Sequence, residues 1–249
     1  MADCEVPINN SAGRLVYFLK KAIEIGNKNR DRLYISSVCE AIGLQDNPTN
    51  RTESLSNLFY LIHQLEKDIS LLSPTRIRNH QQTIAEVKNS ISTGFTNKYS
   101  AIIQLNNTNS HAIRDLENCA DSLSELVDLR VIEEEELAKL SDDINSLYQT
   151  INSSNIGKDL KFILLKKLTA LKEAIENYQF QGSNGIEREV ENTIGSIFLN
   201  QDKVNSDEEV SLVKKVFDLI CKMITTVSAA KNILPEDWTE KIQNLLPSG

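Results

Sequence analysis

Apolar residues in this chain return every third or fourth position over long stretches, and that period decides what the chain can fold into. Leu55, Leu58, Ile62, Leu65, Ile69 and Leu72 form one such stripe without a miss. Ile113, Leu116, Ala120, Leu123 and Val127 form a second, and Leu137, Leu140, Ile144, Leu147 and Ile151 a third. Leu164, Leu168, Leu171, Ile175 and Tyr178 form a fourth. Alternating steps of three and four keep side chains on one face of a helix, whereas a half-buried strand alternates every second residue. The pattern predicts an all-α protein, a multi-helix bundle with long antiparallel helical hairpins. Nine Gly and five Pro in 249 residues agree, because an all-β chain of this length needs more tight turns than so few can make.

The ends of the helices are marked. Ser73-Pro74 offers an N-cap with Pro at the first helical position, where its missing N–H costs nothing. Ser206-Asp207-Glu208-Glu209 spells a capping box, in which the serine hydroxyl accepts a backbone N–H and Glu209 reaches back. Asn184, three residues before Glu187, offers a similar start after the breaker Gln181-Gly182-Ser183. Gly26 and Gly43 are placed to end the first two helices. The second and third stripes fall out of register across Arg130–Glu136, so a hairpin turn is expected near Leu129–Ile132. Residues 110–153 then form an antiparallel hairpin, with Glu133 to Glu136 in a first turn facing the positive end of the helix dipole. Pro235 is expected to start a short last helix with Trp238 and Leu245 to bury.

A soft division is expected in the loop Asn106–Ser110, giving an N-terminal helical bundle region over 1–106 and helical hairpins with C-terminal helices over 107–249. No long Pro, Ser or Gly linker separates the two, so one continuous domain also fits. No fixed period recurs, which disfavours a solenoid.

Catalytic and cofactor signatures fail one after another. A di-metal bundle needs Glu-x-x-His pairs, so that both ligands project inward one turn apart. Tyr60, Ile77 and Thr108 stand three residues before His63, His80 and His111. The Arg-to-His spacing of helical HEPN-type ribonucleases fails too, since Arg76 lies too close to His80. Phosphate-cradling glycine loops and nucleophile elbows are missing. The expectation is no enzyme, no metal and no cofactor, with His63 a partly exposed bundle residue.

A net charge of −8 opposes non-specific binding to nucleic acid, whose phosphates are themselves densely negative. A local basic patch is still written in Arg14, Lys20, Lys21, Lys28, Arg30 and Arg32, with Tyr17, Phe18 and Tyr34 interleaved. Cys4, Cys39, Cys119 and Cys221 have no knuckle or redox spacing and read as free thiols of a reducing compartment. Met1–Asn10 lacks the basic region and apolar core of a secretory signal, so a cytoplasmic location is expected.

The widest apolar surface lies within Val210–Leu234: Leu212, Val213, Val216, Phe217, Leu219, Ile220, Met223, Ile224 and Val227. A stripe this wide belongs to a central helix touched from several sides, to a subunit interface, or to a membrane-surface helix. Burial in a core ranks first among these. If the stripe is an interface, Val213, Val216, Phe217, Ile220 and Ile224 are its candidate residues.

Two stretches carry a family likeness. They are Ala41-Ile42-Gly43-Leu44 and the run Asp159-Leu160-Lys161-Phe162-Ile163-Leu164-Leu165, continued by Ala174-Ile175-Glu176-Asn177-Tyr178 and Gly182-Ser183-Asn184-Gly185-Ile186. With these the chain resembles a recurring, uncharacterised type of bacterial all-helical protein over about half its length. The resemblance implies a prokaryotic accessory or defence-associated gene and transfers no activity or functional residue. The function expected is a non-enzymatic module for protein–protein interaction or assembly, binding another protein or its own copy. A toxin-like membrane-acting effector using 210–234 is the alternative, and nucleic-acid binding through 14–32 comes behind both.

Overall fold

The computed structural model describes residues 8–28, 33–94, 111–126 and 131–227. Among these residues the protein is all-α, with no strands. Internal contacts divide the chain into two compact units, Met1–Asp128 and Leu129–Gly249.

The first unit contains α1 (Ser11–Lys28), α2 (Tyr34–Ile42), α3 (Pro48–Asp68), α4 (Pro74–Gly94) and α5 (Ala112–Ser124). Helix α1 packs on α2, α3 and α5, and α4 packs on α3 and α5. Contact on three sides explains why α1 buries Ala12, Leu15, Val16, Phe18, Leu19, Ala22 and Ile23, more than one stripe can supply. The first predicted stripe is buried from Leu58 through Leu65 on α3, and a 3-10 turn over Ile69–Leu71 carries it on to Ile69 and Leu72. Asn47 caps α3 by accepting the N–H of Asn50 at 2.9 Å, ahead of Pro48. Gly43 ends α2 as predicted. Its φ of 85° is left-handed, and paired bonds from Gly43 N to Glu40 O and from Leu44 N to Cys39 O close a Schellman turn. Gly26 does not end α1. Its φ is not positive, and without that geometry the helix runs on to Lys28.

Polar side chains tie the start of α1 to its neighbours. Asn10 donates to the carbonyl of Ala120 and to Ser124 Oγ, both at 2.9 Å, and accepts the N–H of Gly13 at 3.0 Å. Ser11 donates to the carboxylate of Asp68 at the end of α3. The buried side chains of Asn10 and Ser11 are thereby hydrogen-bonded, as burial of polar groups favours.

The second unit contains α6 (Glu134–Ser153), α7 (Lys158–Glu176), α8 (Tyr178–Leu199) and α9 (Asp207–Val227). Helix α6 packs on α7 and α9, and α8 packs on the same two, so the four close into a ring. Cross-helix bonds give their directions. Gly157, at the head of α7, meets Glu209 in the first turn of α9. Lys222, towards the other end of α9, pairs with Asp143 on α6, so α6 and α9 run antiparallel. The Tyr178 hydroxyl at the head of α8 accepts the N–H of Ile132 at 2.8 Å, just before α6. This is an up-down-up-down four-helix bundle with short connections. Its core takes Leu140, Ile144, Leu147 and Ile151 from α6, Leu164, Leu168 and Leu171 from α7, and Ile186, Val190 and Ile197 from α8.

Local geometry explains the helix starts of this unit. Glu133 precedes α6 and donates its N–H to the Glu136 carboxylate, which places the four glutamates at the helix head as expected. The capping box of α9 forms, with Glu209 N donating to Ser206 Oγ and Glu209 Oε2 accepting the N–H of Ser206 at 3.0 Å. Gly182 adopts φ 60°, ψ −163° and breaks α8, and Asn184 lies just beyond that break.

Two boundaries differ from the sequence reading. The division falls after Asp128 and not at 106. The hairpin expected over 110–153 is replaced by separate packing: α5 lies on α1 and α4, while α6 lies on α7 and α9. The register slip at 130–136 marks a change of unit, because each stripe is buried among its own neighbours. The loop at 106–110 and the helix expected from Pro235 lie outside the described residues.

Candidate functional site

The wide stripe resolves as core. Helix α9 buries Leu212, Val213, Val216, Phe217, Leu219, Ile220, Met223 and Val227, and Ile224 is half-buried against the same cluster. Two packed neighbours, α6 and α8, cover a wider arc than a single partner does. Val213, Val216, Phe217 and Ile220 therefore present no surface to a second protein or a lipid. No helix among the described residues is long and apolar enough to cross a membrane. Residues 228–234 of the stripe lie outside the described residues.

The basic patch is dispersed. Arg14 is buried and donates to the carbonyl of Ile8 at 3.3 Å. Lys20 pairs with Glu117 of α5, Lys28 pairs with Glu24 one turn back at 2.9 Å, and the Lys21 ammonium lies 5.5 Å from the Tyr17 ring centre. Arg30 and Arg32 lie outside the described residues. Of the three tyrosines and phenylalanines interleaved with these cations, Phe18 and Tyr34 are buried and only Tyr17 is half-exposed. A stacking platform for bases needs exposed rings beside unneutralised cations, and this face has one such ring.

The histidines do not converge. His63 is exposed and sits 3.8 Å from Glu66 on its own helix. His80 is half-buried on α4, and burial holds its pKa below the usual value despite the opposing field of Asp115. His111 is exposed just before α5. No group of three potential metal ligands gathers among the described residues. Cys39 and Cys119 are buried and Cys221 half-buried, all free thiols. Burial, with Asp68 nearby, pushes the Cys119 thiol up to about 12, which removes its nucleophilic form at neutral pH.

A different surface stands out in the second unit. Phe162 on α7 is 68% exposed, and Phe198 and Leu199 at the end of α8 are 49% and 81% exposed. Antiparallel packing puts the first turns of α7 and the last turn of α8 at one end of the bundle. Phe162 lies opposite the Leu160–Leu164–Leu168 face that α7 buries, and so points outward. Exposed charges of both signs lie near these residues in the chain: Lys158, Asp159 and Lys166 on α7, Asp202 between α8 and α9, and Asp207 and Glu208 in the first turn of α9. Sequence periodicity misses such a site, because it finds residues that fit a stripe, and Phe162, Phe198 and Leu199 do not.

No protein-family model, curated protein or solved structure matches the chain. The first unit is an irregular helical cluster and the second an up-down four-helix bundle.

Proposed function

We propose that the protein is a non-catalytic helical assembly module that associates with a second copy of itself through the outward α7/α8 surface of its four-helix bundle. The observation that carries this reading is the exposure of Phe162, Phe198 and Leu199 at one end of the bundle, beside a core that already accommodates every other large side chain of these two helices' inner faces. Large apolar groups clustered in water are costly at roughly 25 cal/mol per Å² and mark interaction sites when they lie together. A second copy fits because the flanking charges are self-complementary. A twofold pairing that set Lys158 and Lys166 of one copy against Asp202, Asp207 and Glu208 of the other would match opposite charges.

Light scattering across a range of protein concentrations tests it. The wild-type mass rises above the 28.0 kDa of the chain, and Phe162→Asp with Leu199→Asp returns it to the monomer with unchanged helicity. A wild type that stays at the monomer mass throughout, or a double variant that associates as well as wild type, overturns the reading.

A further inference from the structure

The second feature of the bundle is a groove of about 360 Å³ between α6 and α9. Asp143, Ser146, Leu147 and Thr150 line it from α6, and Lys215, Asp218, Leu219 and Lys222 line it from α9. The antiparallel register orders these residues. The Asp143–Lys222 ion pair crosses the groove at one end. In that register Ser146 and Asp218 fall at the middle level of the groove, and Thr150 and Lys215 at its far end. Leu147 and Leu219 are 8% and 6% exposed and form an apolar floor.

The charges along the groove are not equivalent. Lys222 and Asp143 neutralise each other. Lys215 and Asp218 have no ion-pair partner among the described residues, and they stand three residues apart on one wall, about 5 Å along the helix axis. The opposite wall adds hydroxyls. Thr150 donates its hydroxyl hydrogen to the carbonyl of Ser146 at 2.9 Å, which leaves its oxygen as an acceptor. One cation, one carboxylate and an apolar floor form a receptor for a ligand carrying the converse set.

We infer that this groove binds a small zwitterion of the α-amino-acid kind, its carboxylate at Lys215, its ammonium at Asp218 and its apolar side chain on Leu147 and Leu219. The volume is within the range of small-molecule sites. Both charges are solvent-exposed, so each ion pair contributes no more than about fivefold in affinity, and the ligand is held weakly. Neither the groove nor its ligand involves the α7/α8 surface, so the two readings stand or fall separately.

Titration of the isotope-labelled full chain with leucine, followed by NMR, tests the inference. Leucine shifts the Leu147 and Leu219 signals saturably. Leucinamide, which lacks the carboxylate, and N-acetylleucine, which lacks the ammonium, each bind several-fold more weakly. In Lys215→Gln the advantage of leucine over leucinamide disappears, and in Asp218→Asn its advantage over N-acetylleucine disappears. Signals from the first unit and the oligomeric mass stay unchanged. Absence of saturable shifts with leucine, or equal binding of all three compounds to the wild type, overturns the site.

Discussion

Glu209 in the first turn of α9 accepts the backbone N–H of Gly157, at the head of α7, at 3.0 Å through Oε1. Its other oxygen accepts the N–H groups of Asn205 at 2.8 Å and Ser206 at 3.0 Å. One carboxylate thus serves the heads of two helices, where unpaired N–H groups and the helix dipoles favour negative charge. Gly157 allows the approach, because a Cβ there would lie 3.3 Å from Glu209 Oε1.

Those bonds, from Gly157 first and then Asn205, hold the Glu209 pKa below the ordinary glutamate value. A depressed folded pKa stabilises the native state above the unfolded pKa, and that contribution disappears as pH falls through the folded pKa. Glu209→Gln is expected to lower stability by about 1.5–3 kcal/mol at neutral pH, the range for hydrogen bonds to a charged group. Denaturant melts of wild type and variant measured from pH 7 downward should converge in acid. A difference that persists undiminished below the glutamate range would show that the charge is not what matters.

Three glycines of α8 separate backbone need from accident. Gly182, at φ 60° and ψ −163°, occupies a region that only glycine enters cheaply, so Gly182→Ala is expected to cost about 1–3 kcal/mol. At Gly185 a Cβ would fall 2.5 Å from the Cβ of Gln181, and Gly185→Ala must displace that turn. Gly195 is exposed and has nothing within 4 Å of an added Cβ. Gly195→Ala is expected to stabilise the protein by about 0.4–1 kcal/mol through the unfolded chain's lost freedom. Thermal melts of the three variants should therefore shift in two directions, with Gly195→Ala alone moving up.

Tyr34 and Ser37 lie one turn apart on α2, both fully buried, and neither hydroxyl has a hydrogen-bond partner among the described residues. Burial raises the Tyr34 phenol well above its ordinary value, so it is neutral at neutral pH. Removing a buried hydroxyl that makes no bond relieves a desolvation cost, whereas removing a bonded one exposes its partner. Tyr34→Phe and Ser37→Ala are therefore expected to leave stability unchanged or raise it. A loss above about 1 kcal/mol in either variant would reveal a bond to an ordered water.

The fold was largely legible because its information is local. The stripes at Leu58, Ile144 and Leu171, the Gly43 turn, the Ser206–Glu209 box and the Gly182 break each depend on residues within one or two turns. The unit boundary was not, since the slip between the Ile113 and Leu137 stripes is the same whether two helices pack on each other or on different neighbours. Nor were the two surfaces. Asp143 meets Lys222, and Thr150 and Lys215 line one groove, only once α6 and α9 run antiparallel in one register, and no spacing in the chain announces that. The wide stripe on α9 ranked as core first but left an interface open, and the ring of four helices shows what covers it.

That last ambiguity gives the most direct comparison. Ile220 is 1% exposed on α9 and Phe162 is 68% exposed on α7, so truncating them should have opposite consequences. Ile220→Ala removes methylene groups from a packed core and is expected to cost about 2–5 kcal/mol. Ile220→Asp places an unpaired charge there and should unfold the bundle, because isolated charges are not accommodated in an apolar interior. Phe162→Asp exchanges one solvated side chain for another, and the melting temperature should change little while the oligomeric mass falls. Circular dichroism melts beside light scattering would separate the two residues. If Ile220→Asp kept the helical signal and melted normally while Phe162→Asp unfolded, the assignment of core and surface in this bundle would be inverted. Val213, Val216 and Phe217 would then return as the interface, and Phe162 would join the core.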